Sequence, residues 1–275
     1  MALLKERLDL LLVELGYFQS RERAKASIMA GIVFVDGLRC DKPGTAILKD
    51  AQILVKENLC PYVSRGGLKL EKALKSFNID LNGAICVDIG ASTGGFTDCM
   101  LQNGAKKVYC IDVGRGQLDW KLRNDERITN MEKVNIRHLN FDSILEKIDF
   151  ISIDVSFISL KLVFPIAKKL LSDNGQIICL VKPQFEAGRE QVGNGIIRNP
   201  DIQIDVLDKV LNYAVSNKLK PINLTYSPMT GAKGNIEFLL QLRNSDIDPE
   251  INEVKDVINV ERIVNDAHIE LGGTK

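Results

Sequence analysis

From Gly83 onward the chain alternates short apolar runs with stretches of helical pattern, and that alternation leaves few folds open. The segments "AICVDIG", "KVYCID", "DFISIDVS" and "QIICLVKP" are nearly unbroken apolar runs of strand length. Helical stretches follow Gly95, surround "QLDWKLR" and begin again at Leu160. A strand that is apolar on both faces needs cover on both, and regularly interposed helices supply it. The pattern predicts βαβ units and an α/β fold with a mostly parallel sheet, whose ligands bind at the carboxyl ends of the strands. A second set completes the region: a helix near "DIQIDVLDKVLNYAVSN", then strands "PINLTYS" and "NIEFLLQLR". The residues after Asn244 read as a charged, partly helical tail.

A length of 275 residues with 45% apolar content and no net charge suits one large domain or two unequal ones. No run of 18 apolar residues occurs, and Lys5, Glu6, Arg7, Asp9 and Glu14 interrupt any leader-like segment at the start. A cytoplasmic protein without membrane attachment is therefore expected. The six cysteines contain no C-x-x-C pair, and His138 and His268 are the only histidines, so neither structural zinc nor a histidine-rich metal centre is expected.

The first sixty residues are organised differently. Leu8, Leu11, Leu12 and Leu15 share one helical face that Gly16 can terminate, and Ser20 is placed to cap a second helix with Ala24 and Ile28 inward. Arg21, Arg23 and Lys25 sit in the first turns of that helix, where cations oppose the helix dipole, which points to an external anion or to tertiary ion pairs. Asp36-Gly37 between "IVFV" and "LRC" is a hairpin signal, and "AQILV" supplies a further strand. The expected layout is a small α+β domain over 1–58, a linker over 59–67, the large domain over 68–244 and the tail over 245–275. Residues 1–69 carry 11 Lys+Arg against 8 Asp+Glu, a slight positive excess in the small domain.

The stretch "VDIGASTGGFTD" (87–98) is chemically ambiguous by itself. Gly90-Ala91-Ser92-Thr93-Gly94 fits the G-x-S-x-G turn of a serine hydrolase and equally a glycine turn that cradles a nucleoside. The hydrolase reading requires an acid and then a histidine; Asp154 and His268 supply only the order, and no oxyanion segment precedes Ser92. The cofactor reading requires an acid ending the next strand, about twenty residues on, to hold ribose hydroxyls. Asp112 stands 22 residues after Gly90. Because the glycines do not form a phosphate-binding pattern, a cofactor lacking a pyrophosphate is favoured, and S-adenosylmethionine, with its positive sulfonium beside Asp88, suits the site.

The first module resembles the S-four RNA-binding domain of ribosomal-protein type at Arg7, Asp9, Ser20, Arg21, Ala24, Ile28, Gly31, Val35, Gly37 and Pro43. The resemblance implies that Arg7, Ser20, Arg21, Arg23 and Lys25 face RNA. "YVSRGGLKLEKAL", "DIGASTGGFTDCMLQNGAKKVYCIDVGRGQLDWKLR", "DVSFISL", "LVKPQFEAGRE" and "GNIEFLL" resemble the TlyA-type proteins, once called haemolysins, of the FtsJ-like rRNA ribose 2′-O-methyltransferase class. That resemblance implies a Rossmann-like class I methyltransferase sheet, S-adenosylmethionine as methyl donor, and cytidine of 16S or 23S rRNA within ribosomal subunits as substrate. It also implies a catalytic tetrad at Lys69, Asp154, Lys182 and Glu237. Cofactor contacts are expected from Asp88, Gly90, Ser92, Gly94, Gly95 and Asp112, with Asn135 toward the adenine. No metal is implied, and a monomer is expected.

The tetrad suits the reaction. A ribose hydroxyl is a poor nucleophile near neutral pH, so methyl transfer needs proton removal and in-line approach. A lysine serves as base only when neutral, a state that desolvation and a second cation favour and carboxylates oppose. Lys182 is favoured as base or proton acceptor, with Asp154 orienting it and the hydroxyl and with Lys69 and Glu237 completing the network; the sequence leaves open which of the two lysines holds the proton. Phe96 and Phe157 can serve as apolar walls of the cofactor site, with core packing the favoured role, and Trp120 is expected to pack or to stack on a base. Two other readings are a non-catalytic RNA-binding or ribosome-assembly factor, which retention of the whole tetrad opposes, and a membrane-active haemolysin, which lacks any supporting segment.

Overall fold

The computed structural model describes residues 5–18, 20–29, 31–55, 60–245 and 249–272. The chain divides into two compact units, Met1–Arg65 and Gly66–Lys275. The expected junction at 58 and 59 lies outside the described residues; Gly66 and Gly67, expected in the linker, instead open a helix.

In the first unit, β1 (Lys5–Arg7) leads into α1 (Leu8–Glu14), and α2 (Arg21–Met29) precedes β2 (Val33–Val35), β3 (Leu38–Arg39), β4 (Ala46–Leu48) and β5 (Ile53–Val55). Strands β1 and β4 pair antiparallel, while β3, β2 and β5 form a separate sheet in that order. Gly16 takes φ 77°, as the end of α1 requires, and Asp36 and Gly37 are both left-handed at the hairpin. Ser20 Oγ accepts from the Arg23 amide at 3.3 Å and so caps α2. The core consists of Leu8, Leu11, Leu12, Ala24, Ile28, Val33, Val35 and Ile47.

Among these apolar groups sits a fully buried acid, Asp9. Arg7 grips both of its oxygens at 3.0 Å, and Arg21 donates to Oδ2 at 2.9 Å. Hydrogen bonding from Arg7, reinforced by Arg21, holds the Asp9 carboxyl down to about 2. Asp9 thus ties the strand entering α1 to the first turn of α2. The cations at the start of α2 now divide into two kinds: Arg21 is satisfied internally, whereas Arg23 and Lys25 have no ion-pair partner among the described residues.

The second unit opens with α3 (Gly66–Phe77), followed by β6 (Ile85–Ile89), α4 (Gly95–Gln102), β7 (Lys107–Asp112), α5 (Trp120–Arg123), β8 (Ile128–Glu132), β9 (Ile148–Ile153), α6 (Phe164–Leu170) and β10 (Leu171–Val181). Then come α7 (Pro183–Glu186), α8 (Arg189–Val192), α9 (Pro200–Val215), β11 (Leu219–Tyr226), β12 (Phe238–Asn244), α10 (Ile251–Val257) and α11 (Val260–Leu271). Seven strands make one sheet in the order β11-β12-β10-β9-β6-β7-β8. All neighbouring pairs are parallel except those of β12, which runs against both β10 and β11. From β6 the chain winds outward through β7 to β8, then returns to β9 on the opposite side of β6. The β6/β9 boundary is therefore the topological switch point, where such sheets hold ligands.

Strand β8, "ITNME", is half-buried throughout and lies at the sheet edge, which explains why no apolar run announces it. The segment after Asn244 is more than a charged tail: Val254, Ile258, Val260, Val264 and Ala267 of α10, α11 and their junction are buried in the main core with Val210, Leu211 and Leu224. The charges of this segment lie on the outer face, and its apolar residues recur at helical spacing.

Replacing Asp9 with Ala leaves two guanidinium groups without their acceptor and should cost about 2 kcal/mol locally. Hydrogen exchange of the α1 and α2 amides in the full chain is expected to speed by roughly thirtyfold; unchanged protection would show that the ion triad does not hold the unit together.

Candidate active site

The site is built where β6, β7 and β9 end. Gly90, immediately after β6, takes φ 87°, and a Cβ there would lie 2.4 Å from the Asp154 carbonyl oxygen. The Asp154 amide in turn donates to the Ile89 carbonyl at 2.9 Å. Only a residue without a side chain permits this close meeting of the two strand ends. Beyond it, Ser92 is left-handed at φ 48° and exposed, and its amide donates to Asp112 Oδ2 at 2.8 Å. The Gly114 amide donates to Asp112 Oδ1 at 2.7 Å. Asp112 therefore reaches from the end of β7 and fixes both flanking turns, while each carboxylate oxygen keeps lone pairs for a ligand.

A cavity of 650 Å³ opens above these strand ends. Gly90, Ser92, Asp112, Asn135 and Asp154 line it among apolar walls that include Ile89, Ile111, Val113 and Val134. Size and lining suit a nucleoside-sized ligand: mostly apolar, with a few fixed polar groups. Asn135 is held by its own turn, its Oδ1 accepting from the Arg137 amide at 3.1 Å.

Three of the expected cofactor residues stand outside this lining. Gly94 takes φ 92°, and a Cβ there would strike Leu122 and Leu118 at 2.3 and 2.8 Å, so it admits α5 against the turn. Gly95 begins α4 and is buried. Asp88 is fully buried beneath the turn, where Thr97 Oγ1 and Ser152 Oγ donate to its two oxygens at 2.7 and 2.8 Å. It braces β6 against α4 and β9 and is no part of the cavity surface. Burial pushes its carboxyl up to about 6, opposed by the hydroxyl bonds.

The four tetrad positions form two ion pairs. Lys182, immediately after β10, places Nζ 2.6 Å from Asp154 Oδ1 and donates to Ser156 Oγ at 3.0 Å. Lys69, on α3, places Nζ 2.5 Å from Glu237 Oε2. The Glu237 side chain is 3% exposed and that of Lys69 13%, so the second pair is shielded from water. Glu237 precedes β12, and its carboxylate packs so closely on Gly231 that a Cβ there would lie 1.9 Å from Oε1. Because β12 is reversed, its beginning lies at the same sheet edge as the ends of the parallel strands. Four residues from positions 69 to 237 are thereby drawn to one edge.

The aromatic expectations need correction. Phe96 is in the core, but Phe157 is 90% exposed, left-handed at φ 63°, and stands on the cavity wall with its ring 4.9 Å from that of Phe185. A bulky residue with positive φ and a solvated ring is not explained by packing. Trp120 is also exposed. Ser156 escaped the sequence reading, although its position two residues after Asp154 was the available signal. The hydrolase geometry is absent: His268 lies on α11 against Gln203 at 2.9 Å, and Asp154 is engaged by Lys182.

A parallel sheet with one reversed strand, a glycine turn after its central strand and an acid ending the neighbouring strand defines a Rossmann-like α/β domain of methyltransferase type. Residues 62–244 match the FtsJ-like methyltransferase family, and residues 6–53 match the S4 domain. The chain belongs to the FtsJ-like methyltransferase family and carries an S4 domain ahead of it. It is 50% identical to YqxC of Bacillus subtilis, a proposed rRNA methyltransferase, over 96% of this chain and 94% of that protein. It is 40% identical to the 16S/23S rRNA (cytidine-2′-O)-methyltransferase TlyA of Mycobacterium tuberculosis, over 87% of this chain and 90% of that one. A solved structure of a proposed hemolysin from Streptococcus thermophilus superposes with a TM-score of 0.78 at 48% identity, covering 98% of each chain. No helix among the described residues is long and apolar enough to cross a membrane.

The state of Asp88 gives a pH signature. A folded-state value of about 6 against an ordinary 3.8 means that the folded chain keeps a proton the unfolded chain has released, so this group lowers stability as pH rises across that interval. Asp88→Asn is expected to remove that slope, its stability relative to the native chain improving from pH 4 to pH 6 in urea denaturation. A difference between the two proteins that stays constant over the interval would place the titration elsewhere.

Proposed function

We propose that the chain transfers a methyl group from S-adenosylmethionine to a ribose 2′-hydroxyl of ribosomal RNA, with cytidine in 16S or 23S rRNA as the target. The observation that carries this reading is the Lys182–Asp154 pair at 2.6 Å, with Asp154 itself on the wall of the nucleoside-sized cavity. A proton-handling pair thus borders the place where a methyl donor would lie. The unused lone pairs of Asp112 suit ribose hydroxyls, Asn135 suits an adenine edge, and the bare backbone at Gly90 and the turn at Ser92 suit the methionine end. The bound cofactor supplies an electrophilic methyl on a positively charged sulfur.

The chain's own residues do the remainder. Lys182 in its neutral form accepts the hydroxyl proton, while Asp154 and Ser156 fix the direction of its Nζ. Lys69 and Glu237 neutralise one another nearby and complete the tetrad. Phe157 offers a solvated aromatic face at the cavity mouth against which an unstacked nucleobase can rest. At the start of α2, Arg23 and Lys25 have no ion-pair partner among the described residues and can meet RNA phosphates, and Arg7 and Arg21, half-exposed beyond their grip on Asp9, can add outer N–H groups. The reading assigns the protein to the cytoplasm, where ribosomal subunits are available.

With ribosomal subunits and methyl-labelled S-adenosylmethionine, the native chain is expected to label rRNA, and Lys182→Ala to reduce the rate by about 10²-fold or more. Label absent from rRNA with the native chain would sink the assignment, and equal rates would remove Lys182 from the chemistry. Changing both Arg23 and Lys25 to Ala should lower the salt dependence of RNA binding by about two charges while cofactor affinity is unchanged. If cofactor affinity falls instead, the division of labour between the two domains is wrong.

A further inference from the structure

A second cavity, of 330 Å³, lies apart from the one just described, where the β11–β12 loop, the segment before α9 and the end of α11 converge. Its wall includes Arg198, Thr230, Lys233 and His268 beside the apolar Ile197 and Ile236, and among the described residues no carboxylate side chain lines it. Arg198 is exposed and, among the described residues, has no hydrogen-bond or ion-pair partner. Lys233 gives one bond, from Nζ to the Asn194 carbonyl at 3.0 Å, which leaves two of its three donors free. Its backbone is left-handed at φ 58°, a conformation that a lysine adopts at a cost of about 1 kcal/mol or more.

The histidine adds a directed group. Gln203 is fully buried and its amide nitrogen donates to the Ile197 carbonyl at 2.9 Å, so its oxygen is the atom that faces His268 Nε2 at 2.9 Å. Nε2 must therefore carry a proton, and Nδ1 is the nitrogen left to take up another. Two cations, a hydroxyl and an imidazole that burial holds toward its neutral form, with no acid side chain among the described lining residues, make a donor-rich hollow whose positive charge comes from Arg198 and Lys233.

We infer that this cavity binds a phosphate group. An apolar ligand would leave Arg198 and Lys233 unsatisfied, and a carboxylate would use fewer of the available donors than the oxygens of a phosphate. The loop that carries Lys233 also wraps Glu237, whose carboxylate packs against Gly231, so occupancy of the cavity bears directly on the loop that holds a tetrad residue. The phosphate has two possible sources. In the first, which rests on the reading of the chain as an RNA methyltransferase, it belongs to the substrate backbone a short distance from the target ribose. In the second it is a free anion.

Because His138 and His268 are the only histidines, imidazole proton signals of the full chain report on the site directly. Titration with inorganic phosphate at constant ionic strength is expected to move one of the two signals saturably, and His138→Gln, which leaves only that signal, identifies it as His268. A double change of Arg198→Gln with Lys233→Gln should abolish the movement. The same variant should weaken binding of an rRNA fragment by about tenfold and lower its salt slope by about two. A His268 signal that stays fixed, or that moves equally in the variant, overturns the site. Movement without any change in RNA binding supports the phosphate site and overturns its RNA source. Methyl transfer by the native chain is read separately, so failure of the enzymatic assignment leaves the phosphate result standing.

Discussion

Everything at the site depends on the contact between Gly90 and the Asp154 carbonyl. Two parallel strands that diverge in their onward connections are pinned at their carboxyl ends because one of them ends in a residue without a side chain. That contact fixes the backbone of Asp154, which fixes its carboxylate, which in turn positions Lys182. On the far side of β6, the Gly90 amide donates to the Ile111 carbonyl, one residue before Asp112. A single turn thus relates the Lys182–Asp154 pair on one side to the proposed ribose-binding acid on the other. The apolar sheet beneath supplies stiffness, and Asp88, with both oxygens bonded, keeps the turn from sliding over it.

The electrostatics follow from pairing. Two lysines and two carboxylates would be costly to shield if each stood alone, yet as Lys69–Glu237 and Lys182–Asp154 they are locally neutral. The two pairs differ in character. Lys69–Glu237 is closed off, with both side chains nearly buried, and serves as a fixed element. In Lys182–Asp154, Asp154 lines the cavity and Lys182 has Ser156 as an additional acceptor, which is why the proposed proton transfer is placed there. Buried charge of this kind is a poor route to stability and is retained where a reaction requires it.

The sheet was readable because β6, β7, β9 and β10 are buried on both faces and so consist of apolar runs, and the same burial made embedded charges such as Asp154 and Lys182 conspicuous. Edge strand β8 carries no such pattern, since it packs on one side only. The role of Asp88 was misjudged for a related reason: sequence places it beside the turn but cannot tell which way a strand residue points, and its side chain faces α4 and β9 rather than the cavity. Of the two roles open to Phe157, core packing was favoured because phenylalanine usually belongs there, and its positive φ and solvated ring select the cavity wall instead. In the S4 domain, resemblance selected Arg7 and Arg21 as RNA contacts, while the buried acid between them, visible only in three dimensions, occupies part of their donor set. The segment after Asn244 was read as partly helical, but its packing into the main core was masked by charge that is confined to the outer face.

The reversed strand has a consequence for synthesis. Glu237 meets Lys69 across 168 positions of sequence, and it does so only because β12 enters the sheet from the carboxyl edge. A growing chain completes α3, the glycine turn and the Asp154–Lys182 pair well before it has made the strand that delivers the last charge. Until that strand is inserted between β10 and β11, Lys69 lacks its counter-ion and β11 has no neighbour to join it to the sheet. The proposed tetrad is thus the last part of the site to close, because its fourth member must wait for the strand that begins at Phe238.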